Sequence, residues 1–232
     1  MLLNVTRLVR RSRVNGPGWR AAVWVQGCTL RCPGCFNPET HAHERRHLVV
    51  PEELADSLAA EDIEGLSILG GEPFEQAAAC SRLARQARAH GLSVVTYSGY
   101  SQAFLRRSPL PEVQELFAAT DLLIAGPFVQ RLANNGQGWH GSTNQEFVFL
   151  TDRYGPDILQ QPQEVPIVEA SLEGRVLRWT GIPAPDDHAW LEQGAPPRTW
   201  LRGEEESRRA GALPPLQHEA LAPGAPSPAA LP

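Results

Sequence analysis

Three of the four cysteines, Cys28, Cys32 and Cys35, fall within eight residues, in the run Cys28-Thr-Leu-Arg-Cys32-Pro-Gly-Cys35. Thiols this close cannot staple distant parts of a fold, as a secreted disulfide framework would, so the loop has to turn them toward a shared centre. Soft sulfur donors in the order C-x3-C-x2-C suit an iron–sulfur cluster or zinc. A cubane 4Fe-4S cluster has one more iron than this loop has thiols, which leaves that iron open to a ligand. Two other readings stand beside it. Zinc would take the three thiolates and one of His41, His43 or His47; a redox pair at Cys32-Pro-Gly-Cys35 would leave Cys28 without a role.

The chain around this loop alternates strands with helices. Residues 2–13 read as a strand with an Arg-rich outer face, and Asn15-Gly-Pro-Gly18 as a turn before a second strand, Trp19 to Gln26. Pro51-Glu-Glu53 opens a helix with Pro early and acids in its first turn. Gly65 to Leu69 is a short apolar strand. Phe74 to His90 is helical, with Cys80, Leu83, Ala84 and Ala87 at spacings of one helix face. That spacing makes Cys80 a buried structural thiol. Strands at Leu92 to Tyr97 and Leu122 to Ala125 flank a helix over Pro111 to Ala119. The pattern predicts an α/β fold with a parallel sheet or open barrel. Beyond Gly141 a strand over Glu146 to Leu150 and a hairpin over 165–182, turning at Glu173-Gly174, complete a core of residues 1–183. Residues 184–232 hold a Pro/Ala-rich tail with Trp190 and Trp200, expected to be largely flexible.

Composition narrows the function. The chain has 232 residues, and its 21 basic residues, all Arg, against 26 acidic ones give a net charge of −5. No basic footprint for nucleic acid is present. Without lysine there is no Schiff-base lysine and no phosphate loop of the Gly-Lys-Ser type. No segment has the apolar length of a signal peptide or membrane span, so clustered thiols point to a reducing cytoplasm. Arg7, Arg10, Arg11 and Arg13 read as an ordinary charged strand face. Arg31, inside the cysteine loop, is a better candidate for tuning a cluster.

A second motif follows one strand later, Gly70-Gly-Glu-Pro73. Glycines allow close approach of a ligand to the backbone, and the carboxylate of Glu72 can accept from an ammonium group. Read without chemistry, the same four residues make a strand-to-helix turn with an acid near the helix start.

Together, the two motifs resemble those of the radical S-adenosylmethionine (SAM) family. More narrowly, the run from Gln26 to Thr40 is similar to the activating proteins of anaerobic ribonucleoside-triphosphate reductase, one kind of glycyl radical enzyme activase. Tyr97-Ser-Gly-Tyr100, Asp121 to Phe128 and Gly141-Ser-Thr-Asn-Gln145 match further blocks in the same order, over about residues 14–150. Trp179-Thr-Gly-Ile-Pro183 fits a common ending.

The resemblance implies an incomplete parallel (β/α) barrel. Cys28, Cys32 and Cys35 would hold a 4Fe-4S cluster whose open iron takes the amino and carboxylate groups of SAM. Gly70, Gly71, Glu72 and Pro73 would contact the same amino group, Ser98 and Gly99 the ribose, Asn144 and Gln145 SAM or the target, and Phe36 the adenine. Gly34 stands where an aromatic usually precedes the third cysteine. The implied partners are a larger protein that receives a glycyl radical and a one-electron donor such as flavodoxin or ferredoxin. No nucleic acid or membrane is implied, and no general base is needed. Radical SAM chemistry on another peptide or a small metabolite is the alternative, and a zinc-stabilised binding module the remote one.

Overall fold

The computed structural model describes residues 1–134, 138–160, 168–173 and 176–181. The proposed tail, with Trp190 and Trp200, lies outside the described residues. Seven strands form one mixed sheet in the order β3-β1-β2-β4-β5-β6-β7. These are β1 (Leu3–Ser12), β2 (Arg20–Val25), β3 (His47–Val49), β4 (Gly65–Gly70), β5 (Ser93–Ser98), β6 (Leu122–Ala125) and β7 (Glu146–Phe149). The middle four, β2, β4, β5 and β6, run parallel, and β1, β3 and β7 are antiparallel additions at the two edges. A separate antiparallel hairpin of β8 (Val168–Glu173) and β9 (Val176–Gly181) follows, within the span where the sequence pattern predicts one. The fold is thus mixed α/β with a parallel centre and a C-terminal hairpin, not a uniformly parallel sheet.

Each parallel crossover carries a helix: α1 (Pro51–Ala59), α2 (Ala77–Ala89) and α4 (Pro111–Ala119), with the short α3 (Gln102–Arg107) before α4. The three longer helices cover one sheet face. Leu58 of α1, Leu83 and Ala87 of α2, and Leu116 of α4 pack there on Val23, Ile68, Val94 and Leu123. Cys80 is fully buried in the same layer, as its helical spacing predicts. Burial raises its thiol pKa beyond the useful range for chemistry.

Among the described residues no helix layer covers the opposite face. At one side Val95, Leu122, Ile124 and Trp139 are covered by Phe147, Phe149, Tyr154 and Ile158. At the other, Ala22, Trp24 and Leu69 meet Val9 and Tyr97. Between these patches, among the described residues, lies a cavity. Parallel strands are normally buried on both sides, so a cavity beside their carboxyl ends marks the place for a ligand.

At the other end of the strands, the guanidinium of Arg20 is fully buried. It donates to Ser67 Oγ at 2.9 Å, Tyr154 OH at 2.9 Å, and the carbonyls of Pro17, Leu66 and Ser93. With Ser93 Oγ at 3.2 Å as a sixth acceptor, the charge is fully hydrogen-bonded although no carboxylate is among its partners. No helix among the described residues is long and apolar enough to cross a membrane.

Candidate functional site

All three loop cysteines sit at the carboxyl end of β2. Cys28 is 8% exposed, and Cys32 and Cys35 are half-buried. Two backbone bonds fix where the loop leaves the sheet: Gly27 N–H donates to Thr40 O at 2.7 Å and Cys28 N–H to His41 O at 3.2 Å. Burial pushes the Cys28 thiol up and that of Cys35 to about 11, so metal uptake has to displace their protons. Three thiols on one short loop are a soft donor set that fits a cubane, which gives each thiolate its own iron corner.

The Gly70–Pro73 turn ends β4 directly beside the loop. Gly71 N–H donates to Val25 O and Glu72 N–H to Gly27 O, both at 2.8 Å. A Cβ at Gly71 would lie 2.2 Å from Gly27 O, and one at Gly70, where φ is +107°, 2.6 Å from the β2 backbone. These glycines are therefore demanded by the packing of the turn against β2 and Gly27, before any ligand is considered.

Glu72 is 1% exposed. Its Oε1 accepts from Phe74 N at 3.0 Å and Ser98 Oγ at 2.9 Å, and its Oε2 from Gly99 N at 2.8 Å. The carboxylate thus caps the short 3-10 turn Pro73–Gln76, as the non-chemical reading of the motif has it. It also ties that turn to the loop after β5. Burial nevertheless outweighs these three donors and raises its pKa to about 7.

A cavity of about 390 Å³ opens where these loops meet, a size that suits a small-molecule cofactor. Cys28, Cys32, Cys35, Phe36, Gly70, Gly71, Glu72, Ser98 and Gly99 all line it, so most of the residues singled out from sequence come together. Two do not. Pro73 is buried at the start of the 3-10 turn, and Asn144 donates to Pro127 O at 2.9 Å from an exposed position. Its neighbour Gln145 does line the cavity, with Oε1 held by Gly141 N at 2.8 Å. Phe36 packs on Phe128, ring centres 4.9 Å apart.

The structure adds Arg7, Asn15, Trp24, His41, Tyr97 and Thr180 to the lining. Arg7 corrects the sequence reading. Its guanidinium lies over the Trp24 ring at 3.8 Å, and the residue is half-buried and lines the cavity. The register of β1 slips between Val5 and Arg7, which resets the alternation of faces. Arg10 and Arg11 do stay outside, in ion pairs with Glu61 and Asp62. Arg31 is absent from the lining, but holds the cysteine loop in a left-handed turn with φ +46°.

A family model described as a 4Fe-4S single cluster domain matches residues 14–148. The anaerobic ribonucleoside-triphosphate reductase-activating protein of Vibrio cholerae is 32% identical over 142 residues, covering 57% of this chain and 88% of that protein. Its Escherichia coli K12 counterpart is 29% identical over 141 residues, covering 57% and 89%. That of Enterobacteria phage T4 is 29% identical over 157 residues, covering 65% and 96%. The matched stretch contains the whole cysteine loop and the turns around the cavity, and on that ground the chain belongs to the 4Fe-4S single cluster domain family that these activating proteins represent.

Proposed function

We propose that this chain is a radical SAM enzyme that installs a glycyl radical on a larger partner, in the manner the names of its relatives indicate for anaerobic ribonucleotide reductase. One observation carries the reading: the three thiols open on the same cavity as the Gly70–Glu72 turn and the Ser98–Gly99 loop, at the carboxyl ends of parallel strands. Four parallel strands with helices on one face and a cavity at their carboxyl ends also fit an incomplete radical SAM barrel.

Cys28, Cys32 and Cys35 would hold the 4Fe-4S cluster, and the surrounding turns would hold SAM. Bound together, these two groups would supply a one-electron reductive cleavage of SAM to methionine and a 5′-deoxyadenosyl radical, which would take a hydrogen atom from the target. The chain's own task is to bind, orient and exclude water. Gly70 and Gly71 bring the backbone to the cavity wall, and Phe36 offers a flat apolar surface. Glu72 fixes the Ser98–Gly99 loop on the turn, its oxygens already facing three protein donors. A one-electron donor such as flavodoxin or ferredoxin would supply the reducing equivalent.

The test is anaerobic reconstitution with iron and sulfide, then dithionite and SAM. Formation of 5′-deoxyadenosine, lost in Cys32→Ala, supports the reading. A reconstituted protein that leaves SAM intact overturns it. Co-purification with a glycyl radical enzyme under anaerobic conditions identifies the target.

A further inference from the structure

Glu75, one turn after Glu72, makes no appearance in either motif, yet three loops meet at its carboxylate. From the cysteine loop, the Thr29 amide donates to Oε1 at 3.0 Å and to Oε2 at 3.2 Å, and the Thr29 hydroxyl donates to Oε1 as well. From the loop after β5, Tyr100 OH donates to Oε1 at 3.2 Å. From the segment beyond the cysteines, His43 Nε2 lies 3.4 Å from Oε2. The Glu75 side chain is only 16% exposed, so these contacts are partly shielded from competing water.

We propose that Glu75 is a positioning residue for the cluster: by gripping Thr29 it fixes the Cys28–Cys32 segment against the Gly70–Pro73 turn. This rests on the radical SAM reading above. Thr29 directly follows the first cysteine, and Arg31, two residues on, is the described non-glycine residue with positive φ. A turn of that kind persists only where its surroundings over-determine it. Here Cys28 N–H is held by His41 O, Thr29 by Glu75, and the Leu30 side chain lies where a Cβ on Gly99 would come within 2.3 Å of it.

Glu72 and Glu75 divide the work. Both rise from the 3-10 turn Pro73–Gln76 and its cap. Glu72 reaches the β5 loop and Glu75 reaches the cysteine loop, so two carboxylates three residues apart hold both walls of the cavity to one turn. The grip on Thr29 is charge-assisted and doubled, from an amide and a hydroxyl. It places the first thiol relative to the ligand-binding turn, to which the Glu75 N–H is itself bonded through Glu72 O at 3.0 Å.

The test compares wild type with Glu75→Ala, Glu75→Gln and Thr29→Val. Hydrogen exchange is read across residues 28–35 of the cluster-free protein, and chelator-driven iron release on the reconstituted protein. Glu75→Ala should speed both by about tenfold or more, the equivalent of one lost charge-assisted bond. Glu75→Gln, which keeps an acceptor toward Thr29, should recover most of the effect, and Thr29→Val should fall between. Thermal unfolding separates this from a general loss of fold, which would also expose Cys80. Glu75→Ala equal to wild type in exchange and iron release overturns the proposal, as does Glu75→Gln matching Glu75→Ala. Should Glu75→Ala not fold, the other two variants decide. Wild type that takes up no iron contradicts the radical SAM reading, while the exchange comparison still decides the grip of Glu75 on the loop.

Discussion

Replacing Glu72 by Gln changes how stability depends on pH, and its magnitude follows from the site. Burial raises the Glu72 carboxyl from 4.5 to about 7 in the folded protein. A carboxyl with a folded pKa above its unfolded one contributes stability that is full below pH 4.5 and is lost as pH rises through about 7. At ~1.4 kcal/mol per pH unit, ionisation in place costs on the order of 3 kcal/mol by pH 8. Gln cannot ionise, so the variant escapes that loss. It incurs another: with Oε1 kept toward Phe74 N and Ser98 Oγ, its amide nitrogen meets the Gly99 N–H that Oε2 satisfied at 2.8 Å. An unsatisfied buried donor costs about 1–3 kcal/mol at any pH. Glu72→Gln should therefore be less stable than wild type at pH 5, and equal to it or more stable at pH 8. The assay is urea unfolding of the reduced, cluster-free proteins across that range, taken as the difference between the two so that other titrations cancel. A difference that stays flat from pH 5 to pH 8 would refute the reasoning and mean that the three donors keep Glu72 ionised throughout.

Three further expectations are simpler to check. Cys28→Ala, Cys32→Ala and Cys35→Ala should each lose cluster iron after reconstitution, whereas Cys80→Ala, in the helix layer away from the cavity, should retain it. Arg20→Met should lower stability by on the order of 2–4 kcal/mol in urea unfolding, because Ser67, Tyr154 and the Leu66 and Ser93 carbonyls lose a buried donor. A chain ended near residue 185 should unfold with the same midpoint as the full chain, since each apolar cluster of the described core lies within residues 3–158.

Much of the fold was legible because long apolar runs at helical or strand spacing survive tertiary context. The strands over 65–70 and 122–125 and the helix over 111–119 lie where periodicity puts them, within a residue. Short elements escaped. Strand β3 has three residues and exists only by pairing with β1. The helix α3 has six, though its cap was readable: Ser101 Oγ accepts from Phe104 N. The three thiols and the Gly70–Glu72 turn were legible as motifs, because their spacing is local. Arg7 was not, since a register slip in β1 is invisible to a count of alternate residues. Nor was Glu75, whose partners Thr29, His43 and Tyr100 lie 46, 32 and 25 positions away and are joined only by the fold.

The central claim is that three thiols leave one iron of a cubane open to SAM. The direct measurement is electron paramagnetic resonance of the reconstituted, dithionite-reduced protein, with iron counted on the same sample. Roughly four iron atoms per chain and a cluster signal that shifts when SAM is added are the predicted result. A cluster signal indifferent to saturating SAM, or one zinc per chain with no iron, would contradict it.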